Sequence, residues 1–214
     1  MARDIDEPTL VLGSTQTAEL VDDTALRASG VALARRRGGG GAVYLAPGEQ
    51  LWVDVWIPRH DPLWAADVSV AAEWVGAWWV GALAAVRQHG FSVHHGRSVA
   101  GDLGDLVCFA GRGPGEVFLG QRKLVGLSQW RSREGALFSA CAYRRWDPAP
   151  LLALVGGGIG ASAGASGSER AAAQVRGSAM GLGELDPPVA DLDLLRAALL
   201  GSLPSFSVTG RART

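Results

Sequence analysis

Lysine is nearly absent. Of the 20 lysine and arginine side chains in 214 residues one is lysine, Lys123, and every other is arginine. A genome rich in arginine codons accounts for the scarcity but not for the position that keeps a lysine. Lysine is a compact three-donor ammonium, suited to holding a carbonyl or phosphate oxygen at a reacting centre. Cysteine is scarce as well: Cys108 and Cys141 lack the paired spacing of a zinc or redox motif. Each is expected to be a small core hydrophobe or a reactive thiol, not half of a disulfide. No apolar run of about 18 residues or more occurs, and Asp4, Asp6 and Glu7 stand where a signal peptide would turn from basic to apolar. A cytoplasmic protein without a membrane partner is expected. Excess charge is missing too: a net charge of -1 and a pI near 6.4 give no pull toward nucleic acid. His89, His94 and His95 have no carboxylate or thiol at a ligand spacing, so no metal site is expected. No internal repeat is present.

What remains, 48% hydrophobic and 19% charged residues, is ample for a buried core. Thr9 to Leu12 reads as a strand, Thr17 as the cap of a helix running to about Ala28 and stopped by Gly30, and Val31 to Ala34 as a second strand. That strand delivers the chain into Arg35-Arg36-Arg37 and Gly38-Gly39-Gly40-Gly41, followed by Ala42. Four consecutive glycines suit a backbone that bends sharply and comes close to a ligand. Leu51 to Ile57 alternates as a strand, with Leu51, Val53, Val55 and Ile57 on one face and Trp52, Asp54 and Trp56 on the other. Asp67 to His89 is the longest helical pattern, and its expected core stripe is Val70, Trp74, Ala77, Trp78, Gly81 and Ala85.

Asp105 to Ala110 is expected to be a strand carrying Cys108. Glu116 to Leu119 and Arg122 to Gln129 form a hairpin that sets Lys123, expected to be exposed, just past its turn. Gly135 to Tyr143 is extended, and Asp147-Pro148 opens a short helix to Val155. Gly156 to Ser168 is a flexible linker by composition, and 169–214 a C-terminal helical segment, with a helix over Asp191 to Leu200 and a frayed tail. Residues 1–155 are thus expected to form an α+β domain whose mixed or antiparallel sheet is packed by helices.

The motifs resemble a known family. Arg35-Arg36-Arg37-Gly38-Gly39-Gly40-Gly41-Ala42-Val43 is similar to the R-R-x-G-G-G-A-V turn of lipoate-protein ligases. Gly120-Gln121-Arg122-Lys123-Leu124-Val125-Gly126-Leu127-Ser128-Gln129 resembles their lysine motif, G-R-K-I/V-x-G-S-A-Q. The two come in the family order, with Arg131 to Leu137 continuing the match over about residues 9 to 155. The resemblance, to a divergent, actinobacterial type of member, implies a biotin/lipoate-ligase catalytic fold. It also implies acylation of one lysine of a lipoyl carrier domain, from a 2-oxoacid dehydrogenase or the glycine cleavage H protein. Ligase members make an acyl adenylate from ATP, with Mg2+, and lipoate. By that likeness Lys123 contacts the acyl carbonyl and phosphate oxygens, while Arg36, Arg37, Gly38 to Gly41, Ala42, Gly126 and Ser128 bind acyl chain and nucleotide.

A second branch transfers octanoyl from acyl carrier protein without ATP, through a cysteine thioester. Val107-Cys108-Phe109 resembles its A-C-F motif, and Cys108 precedes Lys123 by the same fifteen residues. Cys108 is therefore the expected nucleophile of the alternative reading. The chain departs from the family at Leu45 and at Ser139-Ala140-Cys141, where the family usually has histidines. Its 169–214 segment is also short for the accessory domain that ligases commonly carry. A non-catalytic acyl- or carrier-binding relative is the remaining alternative.

Overall fold

The computed structural model describes residues 2–155 and 164–203. Six antiparallel strands form the main sheet in the order β1-β5-β9-β8-β7-β6, with β1 at Ala2–Arg3, β5 at Gln50–Pro58, β6 at Phe91–Val93, β7 at Val117–Leu119, β8 at Arg122–Arg131 and β9 at Gly135–Tyr143. A smaller sheet, in the order β3-β2-β4, joins β2 (Thr9–Leu12) in parallel to β3 (Ala32–Arg35) and antiparallel to β4 (Val43–Leu45). The expected α+β class with a mixed or antiparallel sheet packed by helices is the observed one.

The alternation of β5 decides the layering. Leu51, Val53 and Ile57 face a core shared with α2 (Val68–Ala85), while Trp52 faces a second cluster with Val11, Val43, Phe109, Cys141 and Tyr143 under the small sheet. The main sheet is therefore covered on both faces. Helix α2 begins on Asp67, whose carboxylate accepts from the Ser69 and Val70 amides, and those bonds hold its pKa below the ordinary value. The buried face of α2 differs from the expected stripe: Ala71, Ala72, Val75, Gly76, Trp78, Trp79, Ala82 and Leu83 are buried, whereas Val70, Ala77, Gly81 and Ala85 are exposed. The helix is apolar nearly all round, so periodicity alone cannot choose its inner face.

Three further boundaries move. Thr17 precedes only a single 3-10 turn, Ala18–Leu20, and the helix proper, α1 (Asp23–Ser29), is capped by Asp22, whose side chain accepts from Thr24 and Ala25. Cys108 is not on a strand. Val107 makes one bridge to Ala42, and Cys108–Ala110 then curls into a 3-10 turn. The span Gly104 to Gly111 is a tight loop, because a side chain on Gly104 would lie 2.9 Å from the Gly111 Cα. Of the expected linker Gly156 to Ser168, 156–163 lie outside the described residues, and a helix, α5, runs over Gly164–Ser178. Its alanine-rich run with glutamate, arginine and glutamine has high helix propensity, and the buried Val175 anchors it, its carbonyl accepting from the Trp146 indole at 3.1 Å. Of the helices so far unplaced, α3 is one turn at Gly101–Gly104 and α4 is Ala149–Val155, with Asp147 accepting from the Ala149 amide. The last, α6 (Leu192–Gly201), buries Leu195 and Leu199 in the core beside α2. Met180, Leu182, Leu185 and Val189 join the same core, so the C-terminal segment packs on the main sheet.

Candidate active site

A cleft of about 540 Å³ opens between the β7–β8 hairpin, the glycine turn, the start of α2 and the loop carrying Cys108. Lys123 lines its floor, yet its side chain is 1% exposed. The exposed hairpin lysine expected from the sequence is thus corrected to a buried one. Met180 donates its amide to the Lys123 carbonyl at 3.0 Å, which closes the outer side of the strand. The Lys123 ammonium lies 2.7 Å from Oε2 of Glu116 and donates to the Cys108 carbonyl at 2.7 Å. The Phe109 and Phe118 rings lie 5.6 and 6.0 Å from it.

Glu116 lines the cleft and is a residue that sequence reasoning missed. Its Oε2 also accepts from the Gly113 amide at 2.6 Å, and its Oε1 from the Leu127 amide at 3.3 Å. Burial pushes its carboxyl above the ordinary glutamate range; the Lys123 ammonium and the two amides pull the other way. A signal existed in principle, since Glu116 abuts the strand that pairs with the lysine strand. A register shift between Val117 and Phe118, invisible in composition, is what decides which side chains meet.

The opposite wall is backbone. Gly39, Gly40 and Gly41 line the cleft. Gly41 rides directly on the Cys108 turn: a Cβ there would stand 2.6 Å from the Cys108 nitrogen and the Val107 carbonyl carbon. The bonds Ala42 N to Leu106 O, 2.8 Å, and Cys108 N to Ala42 O, 3.0 Å, hold the two segments together. Gly38 presses on β8, where its Cβ would lie 2.8 Å from the Ser128 hydroxyl, and Ser128 itself lines the cleft. Gly40 has φ +90, a backbone state that favours glycine.

The structure brings Lys123, Cys108, Gly39 to Gly41 and Ser128 to the cleft and leaves the other expected residues off it. Arg36 donates to the Gly39 and Gly41 carbonyls at 2.7 and 2.8 Å, so it clips the turn shut. Arg35 donates to the Gly13 and Gln16 carbonyls, and Arg37 stacks 4.8 Å over the Trp130 ring. The triple arginine, which in sequence suits a phosphate, here braces the loop. Ala42 pairs with Val107, and Gly126 makes room for Phe109, whose ring a Cβ would meet at 2.8 Å. Cys141 is buried, and burial pushes its thiol far above the ordinary cysteine range, with nearby Cys108 adding to the shift and Arg36 opposing it. The histidines serve elsewhere: His94 contacts the Arg97 carbonyl and His95 lies 3.2 Å from Glu73.

The donors suit an acyl or phosphate oxygen: an ammonium on one side and side-chain-free backbone on the other, in a cleft large enough for a small substrate. The α+β domain thus sets a lysine hairpin against a glycine turn across one cleft. The chain matches the lipoyl protein ligase A/B catalytic domain over residues 4–157, and it belongs to that family. No curated protein matches it. Among solved structures, Thermoplasma acidophilum protein Ta0514 with bound lipoic acid is similar at TM-score 0.66 and 20% identity, over 92% of this chain and 67% of that one. The bi-partite lipoate protein ligase of that organism, studied with its E2 lipoyl domain, gives TM-score 0.67 and 20% identity over 92% and 66%. Lipoate-protein ligase A bound with ATP gives 0.64 and 21% over 92% and 67%. At these identities the likeness shows the fold, and the chain spans about two thirds of the length of each.

Proposed function

We propose that this chain attaches a lipoyl or octanoyl group to a lysine of a lipoyl carrier domain, through an acyl adenylate made from ATP and the free acid. The observation that carries the reading is the buried Lys123 ammonium lining the cleft opposite the bare backbone of Gly39 to Gly41. ATP would supply the activated phosphorus and the AMP leaving group, with pyrophosphate released as the acyl carboxylate takes the AMP. The chain's residues supply the rest. Lys123 would donate to the acyl carbonyl oxygen, and its charge would act on the neighbouring phosphate, stabilising charge that develops as the carrier amine attacks the acyl carbon and AMP departs. The glycine wall would let backbone approach the ligand where a side chain would intrude. The structures solved with lipoic acid and with ATP support this reading by family likeness.

One observation favours a second reading: Cys108 lines the same cleft and gives its carbonyl to Lys123. In that route the Cys108 thiolate attacks an octanoyl thioester and releases the carrier thiol; the acceptor lysine amine then attacks the new thioester, forms the amide and frees Cys108. Mass spectrometry separates the two after incubation with lipoate and ATP or with octanoyl carrier protein. The ligase route leaves bound acyl adenylate, needs ATP and tolerates Cys108→Ser. A thioester adduct lost in Cys108→Ser but kept in Cys141→Ser, with no ATP requirement, overturns it. Neither adduct, together with acyl binding, points to a non-catalytic relative.

A further inference from the structure

Glu116 has no task in either route, yet the Lys123 ammonium and the Gly113 and Leu127 amides all hold it. An ammonium has three N–H groups, and among the described residues Lys123 gives two of them away, to the Cys108 carbonyl and to Glu116 Oε2 at 2.7 Å each. We propose that Glu116 is the positioning residue of this site: with the Cys108 carbonyl it fixes the Lys123 ammonium so that one N–H remains for the acyl oxygen.

The carboxylate is itself immobilised by the Gly113 and Leu127 amides, which ties the loop before β7 to the strand that carries Lys123. Small residues make this approach close. Gly115, at φ +78, rests on α2, where a Cβ would strike the Ala72 carbonyl oxygen at 2.2 Å, and a Cβ on Gly76 would strike the Gly115 oxygen at 2.3 Å. The helix thus sets the height of the loop and the loop aims Glu116. Stability does not explain the pair, because a buried ion pair generally gains little over apolar residues of the same size. Aim does explain it. Lysine is a point charge on a four-carbon stem, and two fixed acceptors convert it into a donor of one direction. The geometry stands on the structure alone, whereas the identity of the oxygen rests on the proposed acyl transfer.

A single lysine makes the test direct. The full chain grown with α,ζ-15N2-lysine has one side-chain ammonium signal and one backbone amide signal, both of Lys123. Wild type is expected to show a sharp signal protected from exchange with water. Glu116→Gln keeps the shape, and its amide oxygen can still accept from Lys123 and Gly113. Without the charge it is expected to lose that protection while the Lys123 backbone amide is unchanged. In acyl transfer, Glu116→Gln is expected to lower kcat by about tenfold or more and to change KM for the acyl substrate by less than about threefold. Glu116→Asp, which keeps the charge on a shorter arm, should recover part of both. A wild-type signal that already exchanges freely, or a Glu116→Gln signal and kcat equal to wild type, overturns the proposal. Should Glu116→Gln not fold, the wild-type spectrum and Glu116→Asp still decide. A chain without transfer activity would sink the acyl-transfer reading, and the ammonium signal would still report on Glu116.

Discussion

On the hairpin side of the cleft, Lys123 and Glu116 present charges that are buried, paired and held at 2.6 to 2.7 Å. On the facing side, Gly39 to Gly41 present only backbone, and the arginines that precede them are turned to carbonyls and to an indole ring. One wall supplies electrostatics and the other supplies space. The difference lies in where each wall spends its cations: Lys123 stands at the cleft, whereas Arg35 and Arg36 brace the loop that shapes it. A side chain that carries charge is therefore no guide to where a ligand's charge sits until its partners are known.

Removing Lys123 is expected to break the charged wall with the largest effect. Lys123→Ala should lower acyl transfer by the cost of a lost oxyanion contact, about 3 to 4 kcal/mol. It should also destabilise the fold, because Glu116 loses its partner in the interior; breaking a buried pair typically costs about 3 to 5 kcal/mol. The second effect depends on pH. Burial already raises the Glu116 carboxyl, and Lys123 is the strongest influence holding it down, so the substitution moves it further up. A group whose folded pKa is raised stabilises below its unfolded value and loses that contribution as pH rises through the folded one. Denaturant unfolding should therefore show a larger deficit at pH 8 than at pH 5. An equal deficit at both pH values would mean that Glu116 is not the group left unpaired.

The glycine wall should separate room for the fold from room for the ligand. Gly41→Ala is expected to cost about 1 to 3 kcal/mol, since its Cβ meets the backbone of Val107 and Cys108, which cannot rotate aside. Gly39→Ala meets nothing within 4 Å, so its stability should stay within about 0.5 kcal/mol of wild type while acyl-ligand affinity falls. Thermal unfolding with and without lipoyl adenylate measures both. A Gly39 variant that binds as wild type does would place the ligand away from the turn.

How much of this was legible in the sequence varies with the range of the deciding interaction. The lysine hairpin and the strand Gly135–Tyr143 follow from local alternation and turn residues, and they stand where expected. Lys123 stood out because it is singular. Its burial did not, since that depends on Met180 pairing with it from a segment 57 residues later. Glu116 was hidden by a register shift, and Cys108 by a five-residue apolar run, Leu106 to Ala110, that reads as strand but closes a loop between Gly104 and Gly111. The arginine triplet misled because a charge run says nothing of its acceptors: Arg36 finds carbonyls three and five residues ahead of it.

Those arginines give the smallest and most discriminating effects. Arg36→Ala removes two charged bonds from the turn, and each charged hydrogen bond is worth about 1.5 to 3 kcal/mol. It should lower stability first and ligand affinity only through the slackened turn. Arg37→Ala removes a stacking contact with Trp130 at a partly open site, about 0.5 to 1 kcal/mol. If the turn's cations only brace it, Arg37→Ala should leave KM for ATP and for lipoate unchanged and shift unfolding slightly. A rise of about tenfold in KM for ATP with unchanged unfolding would mean that the guanidinium leaves Trp130 to meet the nucleotide. The glycine wall would then supply charge as well as space, and its contrast with the lysine wall would hold only for the unliganded protein.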